Sequence, residues 1–423
     1  MNTPTPKAPC GCDELPPGTL TVEEARERIL DLVTPVAETR TLPLFETLGH
    51  VLAENVVSPV NVPPHRNSAM DGYAVRSADL PTQGTARLRV AGTAWAGRPW
   101  EGEVAEGQCV RIMTGAEVPA GADTVIMQEH TERVGDAIVI AGGHQAGQNV
   151  RQPGEDIRTG DTVLETGQRL RAVELALLAS LGVPEVTVHR KPTVAFFSTG
   201  DELIAPGGAL GPSQIYDANR YAIFGMLRDL GVELLDLGVI PDTREAVEQA
   251  FHKAVAKADA IVTSGGVSVG DADYVKETLD RLGKVDFWKI AMKPGKPLAF
   301  GKVERAFFFG LPGNPVSTLV TFYQFARPAL RRLMGEQHIP APLTLRVPAA
   351  EPLKKRPGRT DFQRGILERN PEGELVVRSV GQQASHILSG MSRANCFIVL
   401  PRESAGVAAG TPVDVQPFEG ILS

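Results

Sequence analysis

Cysteine is scarce in this chain. Four occur in 423 residues: Cys10 and Cys12 as a C-x-C pair, with Cys109 and Cys396 far along the sequence. No second pair and no histidine cluster completes a metal site around Cys10 and Cys12, so reduced, incidental thiols are expected. Long apolar runs are missing too, and none approaches the length that spans a bilayer. The stretch 1–17 lacks the charged-then-apolar order of an export signal and is rich in Pro, Thr and Gly. A disordered tail and a cytoplasmic location are expected. Positive charge is not in excess. The net charge of −7 favours solubility and argues against non-specific nucleic-acid binding, and there is no basic DNA-reading helix. Histidines number eight, and none falls in the polar loops described below. No Ser-His-Asp or Cys-His set is available for nucleophilic catalysis.

What is present is a soluble globular composition, 42% hydrophobic and 22% charged, in a chain too long for one ordinary core. Two to four domains are expected. The sequence opens with a capping box, Thr21-Val-Glu-Glu24, ahead of a helix whose Val22, Ala25, Ile29, Leu32 and Val33 share a face. A second short helix is expected near Phe45 to Leu52. From 85 to 164 short alternating strands recur with Gly turns, the pattern of a small all-β unit. Asp71-Gly72 just before it reads as a tight turn. From 192 to about 335 strands, loops and helices alternate, giving an α/β unit with a largely parallel sheet. Its last helix, capped by Asn314 with Pro315 at the first turn, is expected to bend at Pro328. Short strands return from 343, as a small β-barrel or sandwich.

The stretch Ile261 to Tyr274 stands out. A buried strand ends at Thr263, and Ser264, Gly265, Gly266, Ser268 and Gly270 then give five small residues in seven positions. Such a loop lets backbone N–H groups approach an anion. Asp271 and Asp273 follow, and they would repel an anion unless a cation lay between. Other polar loops are expected at the same carboxyl edge of the sheet, where open α/β sheets bind ligands. They are Thr199-Gly200-Asp201-Glu202, Pro241-Asp242-Thr243 and Lys293-Pro-Gly-Lys296-Pro. Asp242 with Glu245 also reads as a second capping box. Lysines and loop amides suit anionic oxygens; carboxylates beside them suit Mg²⁺ bridging to phosphate. Together they suit attack on a phosphoanhydride.

Seven motifs in order, Asn67-Ser-Ala-Met-Asp-Gly-Tyr-Ala-Val75, Arg111-Ile-Met-Thr-Gly-Ala116, Gly154-Glu-Asp156, Ser198-Thr-Gly-Asp-Glu-Leu203, Ser264-Gly-Gly-Val-Ser-Val-Gly270, Lys293-Pro-Gly-Lys-Pro297 and Leu311-Pro-Gly-Asn-Pro315, resemble the MoeA family of molybdopterin molybdenumtransferases, related to the C-terminal part of gephyrin. The resemblance covers roughly residues 18 to 420. It implies insertion of molybdate into adenylylated molybdopterin with release of AMP and with Mg²⁺. It also implies a homodimer, fed by a molybdopterin adenylyltransferase and serving molybdoenzyme apoproteins or chaperones. The implied division is a discontinuous first domain (18–58 with 155–190), a β-rich insert (59–154), an α/β domain (191–335) and a C-terminal β domain (336–423). By motif, the implied functional set is Asp71, Thr114, Asp156, Glu202, Asp242 and Asp273. Glu202, Asp242 and Asp273 are the implied metal ligands. Thr199, Gly200, Asp201, Ser264, Gly265, Gly266, Ser268, Pro312 and Asn314 would meet the pterin nucleotide. Lys289, Lys293 and Lys296 would contact anions, with Arg364 and Ser385 contributed by the last domain. Asp71 and Thr114, far along the chain from the α/β loops, would complete the partner's site in a dimer. Two departures stand out: Gln152 and Pro153 replace a basic run before Gly154, and His65-Arg66 replaces an aromatic before Asn67.

Two alternatives stay open on sequence: a gephyrin-like binding scaffold, and a pyrophosphatase on the same α/β fold, as in CinA-like enzymes.

Overall fold

The structure, a computed structural model, describes residues 17–265 and 274–418. Cys10, Cys12, Gly266, Ser268, Asp271 and Asp273 lie outside the described residues. The first strand, β1 (Thr19–Leu20), leads into helix α1 (Val22–Leu32). The capping box forms: Glu24 N–H donates to Thr21 Oγ1 at 3.1 Å, and Thr21 N–H donates to the Glu24 carboxylate at 2.8 Å. Val22, Ala25 and Ile29 are buried on the facing side. The expected helix at Phe45–Leu52 is absent. Only a 3₁₀ turn forms, at Leu44–Glu46. Gly49 then takes a left-handed φ of 77°, which stops helical continuation, and Val51 and Leu52 bridge to Arg169 and Val188.

Strands β2 (Thr39–Pro43) and β3 (Val56–Val57) have their partners more than a hundred residues later. Between them and those partners runs a six-stranded sheet. Its strands are β4 (Gly72–Val75), β5 (Thr85–Ala94), β6 (Gln108–Ile112), β7 (Thr124–Met127), β8 (Thr131–Val134) and β9 (Ala137–Ala141), in the order β7-β4-β6-β5-β9-β8. β10 (Thr162–Leu164) then pairs with β3. Helix α2 (Ala172–Ser180) follows, and β11 (Glu185–His189) pairs with β2.

Gly72 is not a turn residue but the buried first residue of β4. A Cβ there would lie 1.9 Å from the Ile126 carbonyl oxygen. Glycine is needed because two strands approach closely. Gly72→Ala is therefore expected to cost about 3 kcal/mol or more, read as a lower urea midpoint with unchanged slope.

The central unit contains β12 (Thr193–Thr199), α3 (Ala218–Leu230), β13 (Glu233–Ile240), α4 (Arg244–Lys257), β14 (Ala260–Ser264), α5 (Tyr274–Leu282), β15 (Gly283–Ile290), β16 (Met292–Lys293), β17 (Pro297–Val303) and β18 (Ala306–Leu311). Seven strands align as β1-β15-β17-β18-β14-β12-β13. The sheet is mixed rather than largely parallel. β13, β12, β14 and β18 run parallel, whereas β15, β17 and β18 pair antiparallel. The cause lies in the connections. Two residues join β17 to β18, with Glu304 at φ 51°, and six join β15 to β17. A parallel crossover needs a dozen or so.

Helix α6 (Pro315–Thr321) continues through a π-helical turn, Phe322–Ala326, into α7 (Arg327–Leu333). The irregularity thus lies one turn ahead of Pro328. Pro328 has no N–H to offer the carbonyl one turn back, and the Arg26 guanidinium donates to Gln324 O at 3.2 Å. This clamp fixes α1 against the long helix, and Val22, Ile29, Phe322, Phe325 and Leu330 share one core there.

The C-terminal unit has β19 (Leu345–Pro348), β20 (Thr360–Arg369), β21 (Leu375–Ser379), β22 (Cys396–Leu400) and β23 (Pro412–Pro417). They are ordered β20-β22-β23-β19, with β21 on the other edge of β20. Ala349, just past β19, bridges Val377 of β21, so the sheet curls back towards closure as a small barrel. From the α/β unit, β16 joins this sheet, Met292 and Lys293 pairing with Thr360 and Asp361. The lysine-bearing loop is thereby stitched to the last unit.

Candidate functional site

Three parallel strands end side by side at Thr199, Ser264 and Leu311. Gly265 follows with φ 91° and donates its N–H to Leu311 O at 3.2 Å. A Cβ at Gly265 would come within 2.9 Å of Thr199 O, so only glycine fits between the strand ends. Above them opens a cleft of about 910 Å³ between the α/β unit and the C-terminal barrel. Gly265, Lys293, Lys296, Pro312, Asn314 and Ser385 all line it, together with Arg359, Gln383 and His386. Six of the expected site residues therefore meet at one place.

The lysine loop is held rigidly. Gly295 has φ 100°, and a Cβ there would lie 2.5 Å from Thr321 Oγ1. The Lys293 ammonium lies 3.7 Å from the buried Asp361 carboxylate. Across the cleft, Val316 N–H donates to Ser385 O at 3.1 Å, which seats the 382–386 loop on the start of α6. Arg364 is not a cleft contact. Its side chain is fully buried, and it donates to Gln382 O at 2.7 Å and Ala384 O at 3.2 Å. It shapes the loop from behind. Burial holds its pKa below the ordinary value. Lys289 is exposed on β15, opposite Pro297, and does not line the cleft.

A second, contiguous cleft of about 550 Å³ shares Lys293 and Arg359 with the first. It is lined by five cationic side chains, Lys293, Lys354, Lys355, Arg356 and Arg359, and one carboxylate, Asp361. Lys355 is committed to the fold, donating to the carbonyls of Arg356, Arg402 and Ser404. Arg359 belongs to none of the sequence motifs, although Lys354-Lys355-Arg356 before a Pro-Gly turn is a visible basic run.

The carboxylates lie at the ends of β12 and β13. Asp242 N–H donates to Asp201 Oδ1 at 3.0 Å. The expected cap of α4 is corrected here: Thr243, not Asp242, is the N-cap, its Oγ1 accepting from Ala246 N–H. The Asp242 carboxyl is thus left outside the cap. Partial burial, then the charges of Asp201 and Glu202, hold it above its ordinary 3.8. A Cβ on Gly200 would meet the Glu202 carboxylate at 2.5 Å, so that carboxylate folds back over the loop. Magnesium needs only one or two carboxylates, taking its other ligands from water and phosphate. Glu202 and Asp242 are two exposed carboxylates at the ends of neighbouring strands. Among the described residues no group of three His, Cys, Asp or Glu is placed to hold an ion on protein ligands alone.

The raised Asp242 pKa has a definite consequence. The folded state keeps this proton to higher pH than the unfolded state, so stability falls as pH rises from 3.8 through the raised value. Asp242→Asn should remove the fall: wild type should lose Tm relative to the variant as pH rises from 3.8 towards neutrality, and the two should coincide below pH 3.8. Thermal scans at low salt check it.

Asp71, Thr114 and Asp156 lie apart from this cleft. Asp71 Oδ1 accepts from Thr114 N–H at 2.7 Å and Thr114 Oγ1–H at 2.8 Å. Both residues are exposed at one end of the six-stranded sheet. These bonds, the backbone one first, hold the Asp71 carboxyl below its ordinary pKa. Asp156 is exposed too, and its N–H donates to Val62 O. Among the described residues no hydrogen bond joins the Asp71 or Thr114 side chains to the cleft.

Fold and site together define an α/β protein with a cationic, glycine-floored cleft at the carboxyl edge of its sheet, roofed by a β-barrel. Comparison with known families assigns the same layout. Residues 20–182 match the MoeA N-terminal region (domain I and II), 195–332 the probable molybdopterin binding domain, and 346–418 the MoeA C-terminal region (domain IV). The molybdopterin molybdenumtransferase of Haemophilus influenzae is 47% identical over 404 residues, 95% of this chain and 100% of its own. That of a Nostoc species is 35% identical, covering 89% of this chain and 88% of its own. The crystal structure of a molybdopterin biosynthesis protein MoeA from Pyrococcus horikoshii superposes with a TM-score of 0.80 at 29% identity, covering 95% of this chain and 100% of that one. The chain belongs to the MoeA family.

Proposed function

We propose that the protein is a molybdopterin molybdenumtransferase, inserting molybdenum from molybdate into adenylylated molybdopterin with release of AMP. The observation that carries this reading is the convergence of Lys293, Lys296 and Arg359 over the Gly265 floor, with Glu202 and Asp242 at neighbouring strand ends. Relatives that match most of the chain are named molybdopterin molybdenumtransferases.

The lysines and loop amides grip phosphate and molybdate oxygens. The adjoining basic cleft draws the free dianion towards Lys293. Glu202 and Asp242 would hold Mg²⁺, which when bound neutralises pyrophosphate charge as AMP leaves. Molybdate oxygens replaced by the dithiolene sulfurs leave as water and need protons. Carboxyls beside the site that do not hold the metal would ferry them. The reading includes a homodimer in the cytoplasm, between a molybdopterin adenylyltransferase and the recipient apoproteins or chaperones. It also keeps the four-part division of the chain, which the β2–β11 and β3–β10 pairings support for 18–58 with 155–190. A single-turnover assay with adenylylated molybdopterin, Mg²⁺ and molybdate tests it. AMP release that requires molybdate is the expected result. Release without molybdenum uptake would point to a pyrophosphatase, and binding without turnover to a scaffold.

A further inference from the structure

Asn219 is a residue that neither the loop motifs nor the cleft lining picks out. It sits in the first turn of α3, two residues after the N-cap Asp217. Its amide nitrogen donates twice, to Ser264 Oγ at 2.7 Å and to Gly313 O at 2.7 Å. Ser264 is the last residue of β14 and is buried; Gly265 beyond it is the cleft floor. Gly313 belongs to the Pro312–Asn314 turn on the cleft wall. One amide thus ties floor to wall from a third element. Its own position is fixed by Asp217, which is 2% exposed and accepts from Ser198 Oγ–H and Arg220 N–H. Among the described residues the buried Asn219 Oδ1 meets no donor, a cost accepted for the placement of the NH₂ group.

We infer that Asn219 is a positioning residue for the transferase site: its NH₂ group sets the spacing between the Gly265 floor and the Pro312–Asn314 wall, and so the grip on the substrate's phosphoanhydride. The kinetic consequence rests on the function proposed above; the clamp itself does not. Asparagine is required chemically, because only a side chain of this length with two donors on one nitrogen bonds both acceptors. Asn219→Asp keeps the shape and turns the donors into an acceptor facing the Gly313 carbonyl.

Two measurements on the full chain separate the parts. Hydrogen exchange of Asn219→Asp should quicken about tenfold at Gly265 and at Thr318, whose N–H bonds the Asn314 carbonyl, and stay unchanged in β13. Unchanged exchange at both sites overturns the clamp. Steady-state kinetics should show KM for adenylylated molybdopterin up by about tenfold, the factor one hydrogen bond supplies, with kcat within about threefold. A collapse of kcat at unchanged KM would overturn the positioning role in favour of direct chemistry. Ser264→Ala, which keeps the bond to Gly313, should give a smaller KM shift of the same sign. If exchange quickens while even wild type fails to turn over this substrate, the clamp stands and the proposed function falls.

Discussion

Replacing Lys296 by alanine is expected to lower kcat/KM for adenylylated molybdopterin by about two to three orders of magnitude and to leave stability unchanged. Lys296 is exposed, lines the cleft and has no ion-pair partner among the described residues. Its removal therefore disturbs no packing and orphans no carboxylate. What is lost is a cation carried on a loop whose backbone Gly295 seats against Thr321. The loop backbone is ordered before substrate arrives, so only the side chain's own freedom is lost on binding. Lys293→Ala is the instructive contrast. It removes a cleft cation and also the partner of Asp361, whose carboxylate is buried. Activity should fall by a similar factor and stability by about 1 kcal/mol, a modest figure because the Lys293 end of the pair is half-exposed. Parallel kinetics and urea unfolding of the two variants distinguish gripping an anion from supporting the fold. Equal destabilisation by both would contradict this division of labour.

Much of the site was legible because its residues are chemically unusual where they stand. Lys-Pro-Gly-Lys-Pro cannot be read as an ordinary solvated stretch, and it does line the cleft. Leu311-Pro-Gly-Asn-Pro likewise marked a helix start that is also a wall. Capping boxes were less discriminating. The Thr21 box formed, but Asp242 and Thr243 both satisfy the N-cap preference, and only the backbone decides which takes the position. The antiparallel half of the sheet was hidden, since buried strands read alike in either direction and the short connectors had to be counted. Arg364 shows a different limit. A family motif reveals that a residue matters, but not whether it faces the substrate or the back of a loop. Asn219 was invisible for a related reason: its two acceptors lie 45 and 94 residues away, and nothing local announces them.

The separation of Asp71 and Thr114 from the cleft leads to the second large effect. Both are exposed at one end of the six-stranded sheet and locked together by two hydrogen bonds. An ionised carboxylate held below its ordinary pKa by two hydrogen bonds, yet fully exposed, is poised for something that arrives from outside. If that is the cleft of a second copy, each active site draws its lysines from one chain and Asp71 from the other. Asp71→Ala and Lys296→Ala homodimers should then both be nearly inactive. Unfolding the two together and refolding them as a mixture should restore activity, because half the dimers carry one of each chain. In those dimers one site has lost both groups and the other has both intact. Random pairing gives about one quarter of wild-type activity. Sites built within single chains would give no recovery at any mixing ratio. The activity should rise as the product of the two fractions and peak at equal amounts, a shape that a contaminating trace of wild type cannot imitate.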